Sequence, residues 1–146
     1  MPYAIRKGTI ADLPAVFELI KAFSIFQQTP ERVHITLEEM ETNHALFSFF
    51  VAENEAGVIA GYACWFFAYY SWSGKALYLD DLYVTDAARG NNIGTRLLQT
   101  VINHAKVNGC KKVRWQVSHW NQNAIDFYKK MGAEIDEVEL NCTVEF

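Results

Sequence analysis

Residues 77–95 read Leu-Tyr-Leu-Asp-Asp-Leu-Tyr-Val-Thr-Asp-Ala-Ala-Arg-Gly-Asn-Asn-Ile-Gly-Thr, and this stretch restricts the possible folds more than any other in the chain. An apolar strand carries two adjacent acids, Asp80 and Asp81, and residues 85–88 end it. A polar loop with two glycines follows, through Arg89, Gly90, Asn91, Asn92, Ile93 and Gly94. From there Ile93, Leu97, Leu98, Val101, Ile102 and Ala105 recur at helical spacing. A strand, a Gly-containing loop and a helix start together aim main-chain N–H groups at one point, at the positive end of a helix dipole. Phosphate oxygens suit such a point. The alternative reading is a plain strand-to-helix turn. There is no Gly-Lys-Ser/Thr here, and the first βα unit has no G-x-G-x-x-G, so two commoner phosphate loops are excluded. The two acids place possible chemistry close to a phosphate-bearing cofactor. Neighbours on an ideal strand point to opposite faces, however, so both acids line one site only if the strand bulges.

The chain of 146 residues is the size of one domain, 1–146, and half of it is hydrophobic, which supports a full core. A net charge of −4 and a pI near 5.5 argue against a nucleic-acid partner and tolerate a cationic substrate. Cys64, Cys110 and Cys142 form no C-x-x-C, and His34, His44, His104 and His119 lack ligand spacing. They predict buried thiols rather than a disulfide framework, and no metal site. The longest apolar run, residues 58–70, is too short for a bilayer and contains Gly61 and Cys64. No membrane partner and a cytoplasmic location are the expectations.

In order, residues 3–7 read as a strand. Thr9 or Asp12 can cap a helix with Pro14 in its first turn and Leu13, Val16, Phe17, Ile20 and Phe23 on its apolar face. Residues 27–30 break it, and the capping-box pattern at Thr36 and Glu39 starts a second helix. Residues 47–52 and 58–67 form a hairpin across a turn at 53–57. Residues 69–75 read as an aromatic loop, 76–84 as the next strand, and 93–108 as a helix closed by Gly109. Then come a strand at 112–117, a turn at 119–122, a helix at 124–131 and a final strand at 138–146. The order β-α-α-β-β-β-α-β-α-β predicts an α/β fold, a mixed, mostly antiparallel sheet with helices on both faces.

Arg89, Asn92 and Gly94 resemble the Arg/Gln-x-x-Gly-x-Gly/Ala pyrophosphate loop of the GNAT acetyltransferases, with Asn92 where Gly is usual. Asn tolerates a left-handed backbone, so the loop keeps its shape. Asn121, Ala124, Phe127, Tyr128 and Gly132 resemble the second signature, Asn-x-x-Ala/Ser-x-x-Phe-Tyr-x-x-x-Gly. The resemblance covers essentially the whole chain. It is strongest to the diamine (spermidine/spermine) and thialysine N-acetyltransferases, through residues 61–67, Trp72, Gly74, Lys75, residues 77–81, Trp120, Asn121 and residues 123–129. That group carries an acid where this chain has Tyr70, and a Glu where it has the neutral pair Gln27 and Gln28. Fewer acids imply weaker recognition of a long polycation.

The resemblance implies acetyl-CoA as cosubstrate, direct transfer to a primary amine in a ternary complex, and a homodimer. Tyr128 is the implied general acid toward the departing sulfur, since a phenol is protonated at neutral pH; an isolated Tyr on a helix reads first as a core aromatic, and the Phe-Tyr motif behind Asn121 reverses that order. Asp80 is the implied base, acting through water, and Asp81 a partner for a distal ammonium; alternatively each is a solvated strand-end carboxylate. Main-chain N–H groups of Leu82, Tyr83 and Val84 would pair with pantetheine and polarise the carbonyl. Arg89, Gly90, Asn91, Asn92, Ile93, Gly94 and Thr95 would hold the pyrophosphate. Asn121, with Ala124 beside it, would bind the pantetheine arm or cap a helix. Tyr70, with Tyr69 and Trp72, would line an amine pocket by cation–π contact, or pack in a dimer interface. Two other functions stay open: acetylation of protein N-termini or lysines, and a non-catalytic acyl-CoA sensor.

Overall fold

Every residue of β2 (Ser48–Asn54) from Phe49 to Ala52 is buried, so this strand is covered on both faces. The computed structural model describes residues 2–146, and backbone contacts divide them into two compact units, 2–115 and 116–146. The first unit holds β1 (Tyr3–Lys7), α1 (Leu13–Phe26), α2 (Leu37–Thr42), β2, β3 (Ile59–Tyr70), β4 (Gly74–Val84), α3 (Ile93–Val107) and β5 (Lys112–Arg114). The five strands lie in chain order; neighbours are antiparallel except the parallel pair β4–β5. The second unit contains α4 (Gln122–Lys130).

Alternation along the strands sorts the core. Phe49, Val51, Tyr62 and Tyr83 pack with Leu13, Val16 and Leu19 of α1 and Met40 of α2. The residues between them face α3, where the Phe50 and Trp65 rings lie 5.5 and 4.8 Å from the His104 ring. Gly61 lets α3 come this close. A Cβ there would stand 3.0 Å from the Tyr83 carbonyl oxygen and 3.3 Å from the Leu97 side chain. Helices thus cover both faces of a mostly antiparallel sheet, as the order of elements predicts.

Strand β1 is tied electrostatically to the turn after it and to β2. The Arg6 guanidinium donates both Nη groups to Asp12, each at 2.8 Å, and its Nε to Glu53. Asp12 also accepts the Thr9 main-chain N–H at 2.8 Å. These bonds, Arg6 first, hold the Asp12 carboxyl down at about 2. Thr36 caps α2, its hydroxyl accepting the Glu39 N–H at 3.1 Å.

Three expectations are corrected. Residues 69–75 are not a loop: Tyr69 pairs with Lys75 and Tyr70 with Gly74, leaving a turn of 71–73. The aromatic run continues the strand, and Gly74 supplies the left-handed φ of +85° that the short turn needs. The strand expected at 112–117 stops at Arg114. Residues 138–146 form no strand, although their apolar positions alternate. Val138, Leu140, Val144 and Phe146 are all exposed, so the alternation buries no apolar side chain. A two-residue period permits a strand, but ladder hydrogen bonds require a partner.

Candidate active site

The register of β3 against β4 settles whether two adjacent acids can share a site. Counted back from the Tyr70–Gly74 pair, an unbroken ladder would set Asp80 opposite Cys64 and Asp81 opposite Ala63, on opposite faces. Instead Trp65 pairs with Leu79 and Cys64 with Asp81, so Asp80 is the extra residue of a bulge. The slip turns Asp81 onto the face of Tyr62, whose hydroxyl donates to Asp81 Oδ2 at 3.0 Å. Asp80 stays exposed, yet its charge acts on Asp81, Tyr62 and Cys64 together. The two acids therefore form one electrostatic group.

Burial dominates the titration of this group. Desolvation first, then the neighbouring Asp80 charge, pushes the Asp81 carboxyl up to about 6, against the Tyr62 hydrogen bond that favours ionisation. Desolvation also raises Asp80, though its exposed surface lets water moderate the effect. Tyr62 and Cys64 are held protonated by burial and by the two acids. Cys64 is thus a neutral thiol, unsuited to carry an acyl group. Neither Tyr62 nor Cys64 was expected at the site. The signal available in the sequence was the Asp80–Asp81 pair itself, because two acids meeting on one strand face require a bulge, and the bulge decides which β3 residues face them.

Beyond the acids, among the described residues of the first unit, β4 has no ladder partner on the side away from β3. β5 pairs only with Ala76, Leu77 and Tyr78, so that ladder ends before Leu79. Leu82, Tyr83 and Val84 follow on this strand, paired with β3 on the other side. An unpaired strand edge offers main-chain donors and acceptors to an extended ligand. The Tyr83 ring is fixed by stacking on Phe23, centroids 5.1 Å apart.

The loop after β4 has the expected shape. A short 3₁₀ turn, Asp86–Ala88, leads to Gly90 at φ +88° and Asn92 at φ +57°, both left-handed. Asn91 closes the loop by donating its side-chain amide to the Ala88 carbonyl at 2.9 Å. Arg96 N–H makes the first helical bond, to Asn92 O at 3.0 Å. The amides of Ile93, Gly94 and Thr95 thus form the N-terminal turn of a 15-residue helix, where donors lack helical acceptors. A Cβ on Gly94 would meet only Val84 Cγ2, at 3.9 Å, so the space over that turn is open. Arg89 reaches the Val84 carbonyl at 3.3 Å and Asp86 at 2.8 Å, and lies 5.0 Å over the Phe26 ring. Left-handed positions, free first-turn amides and open space together fit a pyrophosphate.

Tyr70 and Trp72 do not join the acids within one chain. They lie at the turn end of the hairpin, about 23 Å along β4 from Asp81 at roughly 3.3 Å per residue. The Tyr70 ring already carries the Lys112 ammonium at 4.8 Å and the Arg114 guanidinium at 5.4 Å. Trp72 is fully exposed.

In the second unit, Asn121 caps α4, its side-chain oxygen accepting the Ala124 N–H at 3.2 Å. Tyr128 is half-buried on α4, and desolvation raises its pKa, so it remains a proton donor through the neutral range. Among the described residues no group of three or more His, Cys, Asp or Glu could hold a metal ion, and no helix is long and apolar enough to cross a membrane.

Comparisons with known proteins identify the family. A family profile described as "Acetyltransferase (GNAT) family" matches residues 13–133. The thialysine N-epsilon-acetyltransferase of Mus musculus is 28% identical over 141 residues, covering 89% of this chain and 83% of that protein. The spermidine/spermine N(1)-acetyltransferase-like protein 1 of Homo sapiens is 30% identical over 141 residues, covering 90% of this chain but 20% of that longer protein. In fold, the chain resembles an aminoglycoside acetyltransferase from an uncultured soil metagenomic sample, solved with sisomicin, with a TM-score of 0.81, 23% identity, and coverage of 98% and 97% of the two chains. The chain therefore belongs to the GNAT family of acetyl-CoA-dependent N-acetyltransferases.

Proposed function

We propose that this enzyme acetylates a primary amine of a small molecule carrying one or two positive charges, a short diamine or a lysine-like amino acid, by direct transfer in a ternary complex. The observation that carries the reading is the β4 bulge, which joins Asp80 and Asp81 into one negative group immediately before a strand edge unpaired within the first unit and an anion-binding helix start. Acetyl-CoA supplies the acetyl group as a thioester. The amides of Ile93, Gly94 and Thr95, with the turns at Gly90 and Asn92, hold its pyrophosphate. The main chain of Leu82, Tyr83 and Val84 orients the pantetheine arm and donates to the carbonyl oxygen. Asp81 balances the substrate's ammonium, and Asp80, open to water, receives its proton through a solvent molecule. Raised carboxyls suit this task, since a base is most effective near the working pH. Tyr128 takes the role of general acid toward the leaving sulfur, on the strength of its Phe-Tyr motif and its raised pKa.

The names of similar proteins support a small amine: thialysine acetyltransferases, an L-ornithine N5-acetyltransferase from Arabidopsis thaliana (37% identical over 53% of this chain) and a tyramine feruloyltransferase from Nicotiana tabacum (38% over 57%). A homodimer belongs to the same reading, with exposed Phe67, Tyr69 and Trp72 at the turn end of the hairpin as the patch a second copy covers. The test is thiol release from acetyl-CoA across putrescine, spermidine, spermine, lysine, ornithine, thialysine and a peptide with a free N-terminus. Turnover with a small amine is expected. Turnover with the peptide alone would make this a protein acetyltransferase, and acetyl-CoA binding without turnover of any amine would make it a sensor.

A further inference from the structure

Tyr62 is fully buried in the core cluster that holds Leu13, Val16 and Met40, and it lies between Val51 and Tyr83, its partners on the flanking strands, so its hydroxyl is held at one point. A buried phenol must spend its hydrogen on an acceptor, and that acceptor is Asp81 Oδ2 at 3.0 Å. Burial keeps Tyr62 protonated, so the bond has one polarity: Tyr62 donates and Asp81 accepts. The other groups around Asp81 offer it no such support. Cys64, directly opposite across the ladder, is a neutral thiol. Asp80 adds like charge. Helix α1 faces the cluster with apolar side chains, while its Glu18 and Lys21 pair with each other at 2.8 Å on the exposed side.

We propose that Tyr62 is a positioning residue: its hydroxyl anchors one oxygen of the Asp81 carboxylate from within the core and leaves the other turned toward the incoming ammonium. The inference rests on the reading of Asp80 and Asp81 as the amine site, and it adds the group that makes the more buried acid usable. Asp81 is desolvated and has a like charge beside it, so this hydrogen bond is what favours its ionised form.

The experiment is Tyr62→Phe, which keeps the ring and removes the donor. Two readouts are taken: the titration midpoint of the Asp81 side-chain carboxyl by ¹³C NMR, and the acidic limb of kcat/KM for the best small amine. Both should move up by about one pH unit, with KM at pH 6 rising more than kcat falls. A residue that only fills the core would lower thermal stability and leave the midpoint in place, so an unmoved midpoint in folded Tyr62→Phe overturns the proposal. Asp81→Asn separates the two layers. If it leaves the acidic limb of the wild type unchanged while Tyr62→Phe still shifts the carboxyl, the anchor stands and the amine-site reading falls. Should Tyr62→Phe not fold, 3-fluorotyrosine in place of Tyr62 keeps the volume and strengthens the donor. The midpoint should then drop, and no change would equally overturn the proposal.

Discussion

Replacing Gly94 with Glu tests the cosubstrate loop without testing the fold. The Gly94 Cβ direction is open, with only Val84 Cγ2 within 4 Å, at 3.9 Å, so the new side chain displaces nothing. The residue lies in the first turn of α3. Gly in a helix costs roughly 0.5–1 kcal/mol relative to Ala, and a carboxylate near a helix N-terminus gains about 0.3–1 kcal/mol from the dipole. Gly94→Glu should therefore match or exceed the wild type in thermal stability. Its effect on a bound pyrophosphate has the opposite sign. One carboxylate about 6 Å from one phosphate charge repels it by roughly 3 kcal/mol at an effective dielectric of 20. Solvent at this open site reduces that to about 1.5–2 kcal/mol, a factor of ten to thirty in affinity. The side chain also occupies the space over the amides. Calorimetric titration with CoA, beside thermal denaturation, checks both signs. Unchanged CoA affinity in a folded Gly94→Glu protein would refute the loop assignment, and a large loss of stability would refute the packing argument.

Three further outcomes follow from the site. Tyr128→Phe should lower turnover by roughly 10²- to 10⁴-fold with acetyl-CoA affinity little changed; wild-type turnover would remove the general-acid role. Asp81→Asn should lose activity yet gain stability at pH 7, by at most about 3 kcal/mol. The sign follows from the raised carboxyl, at about 6 in the fold against an ordinary 3.8. Such a group favours the folded state below pH 4 relative to neutral pH, and that advantage fades as pH rises toward 6; Asp81→Asn should flatten this slope in thermal denaturation scans. Spermine should trail the smaller amines in kcat/KM, and Tyr70→Asp should not rescue it, because Lys112 and Arg114 already flank that position and would neutralise the new acid. A large gain toward spermine in Tyr70→Asp would place the hairpin tip in the substrate site.

Local chemistry was legible in the residues themselves. The helix face from Ile93 to Ala105, the left-handed turn at Asn92, the Thr36 cap and the Asn121 cap each depend on neighbours within a few positions, and each is present in the structure. Order and type of most elements followed from apolar periodicity for the same reason. Strand ends were less legible. The turn end of the β3–β4 hairpin extends through Tyr69 and Lys75, because cross-strand pairing continues until the turn geometry at Gly74 stops it.

What only the tertiary structure decided is which side chains meet across strands. The sequence states that Asp80 and Asp81 are adjacent, and on a regular strand adjacency means opposite faces. A slip of one residue between the Cys64–Asp81 and Trp65–Leu79 pairs puts Asp81 beside Tyr62 and opposite Cys64, turning a buried tyrosine into part of the acid group. It is equally a matter of three dimensions that Tyr70 lies under two cations at the far end of the hairpin, away from those acids. Residues 138–146 carry as clear an alternation as any strand in the chain and form none. Periodicity records which face of a segment is apolar; register, bulges and pairing are set by what lies across from it.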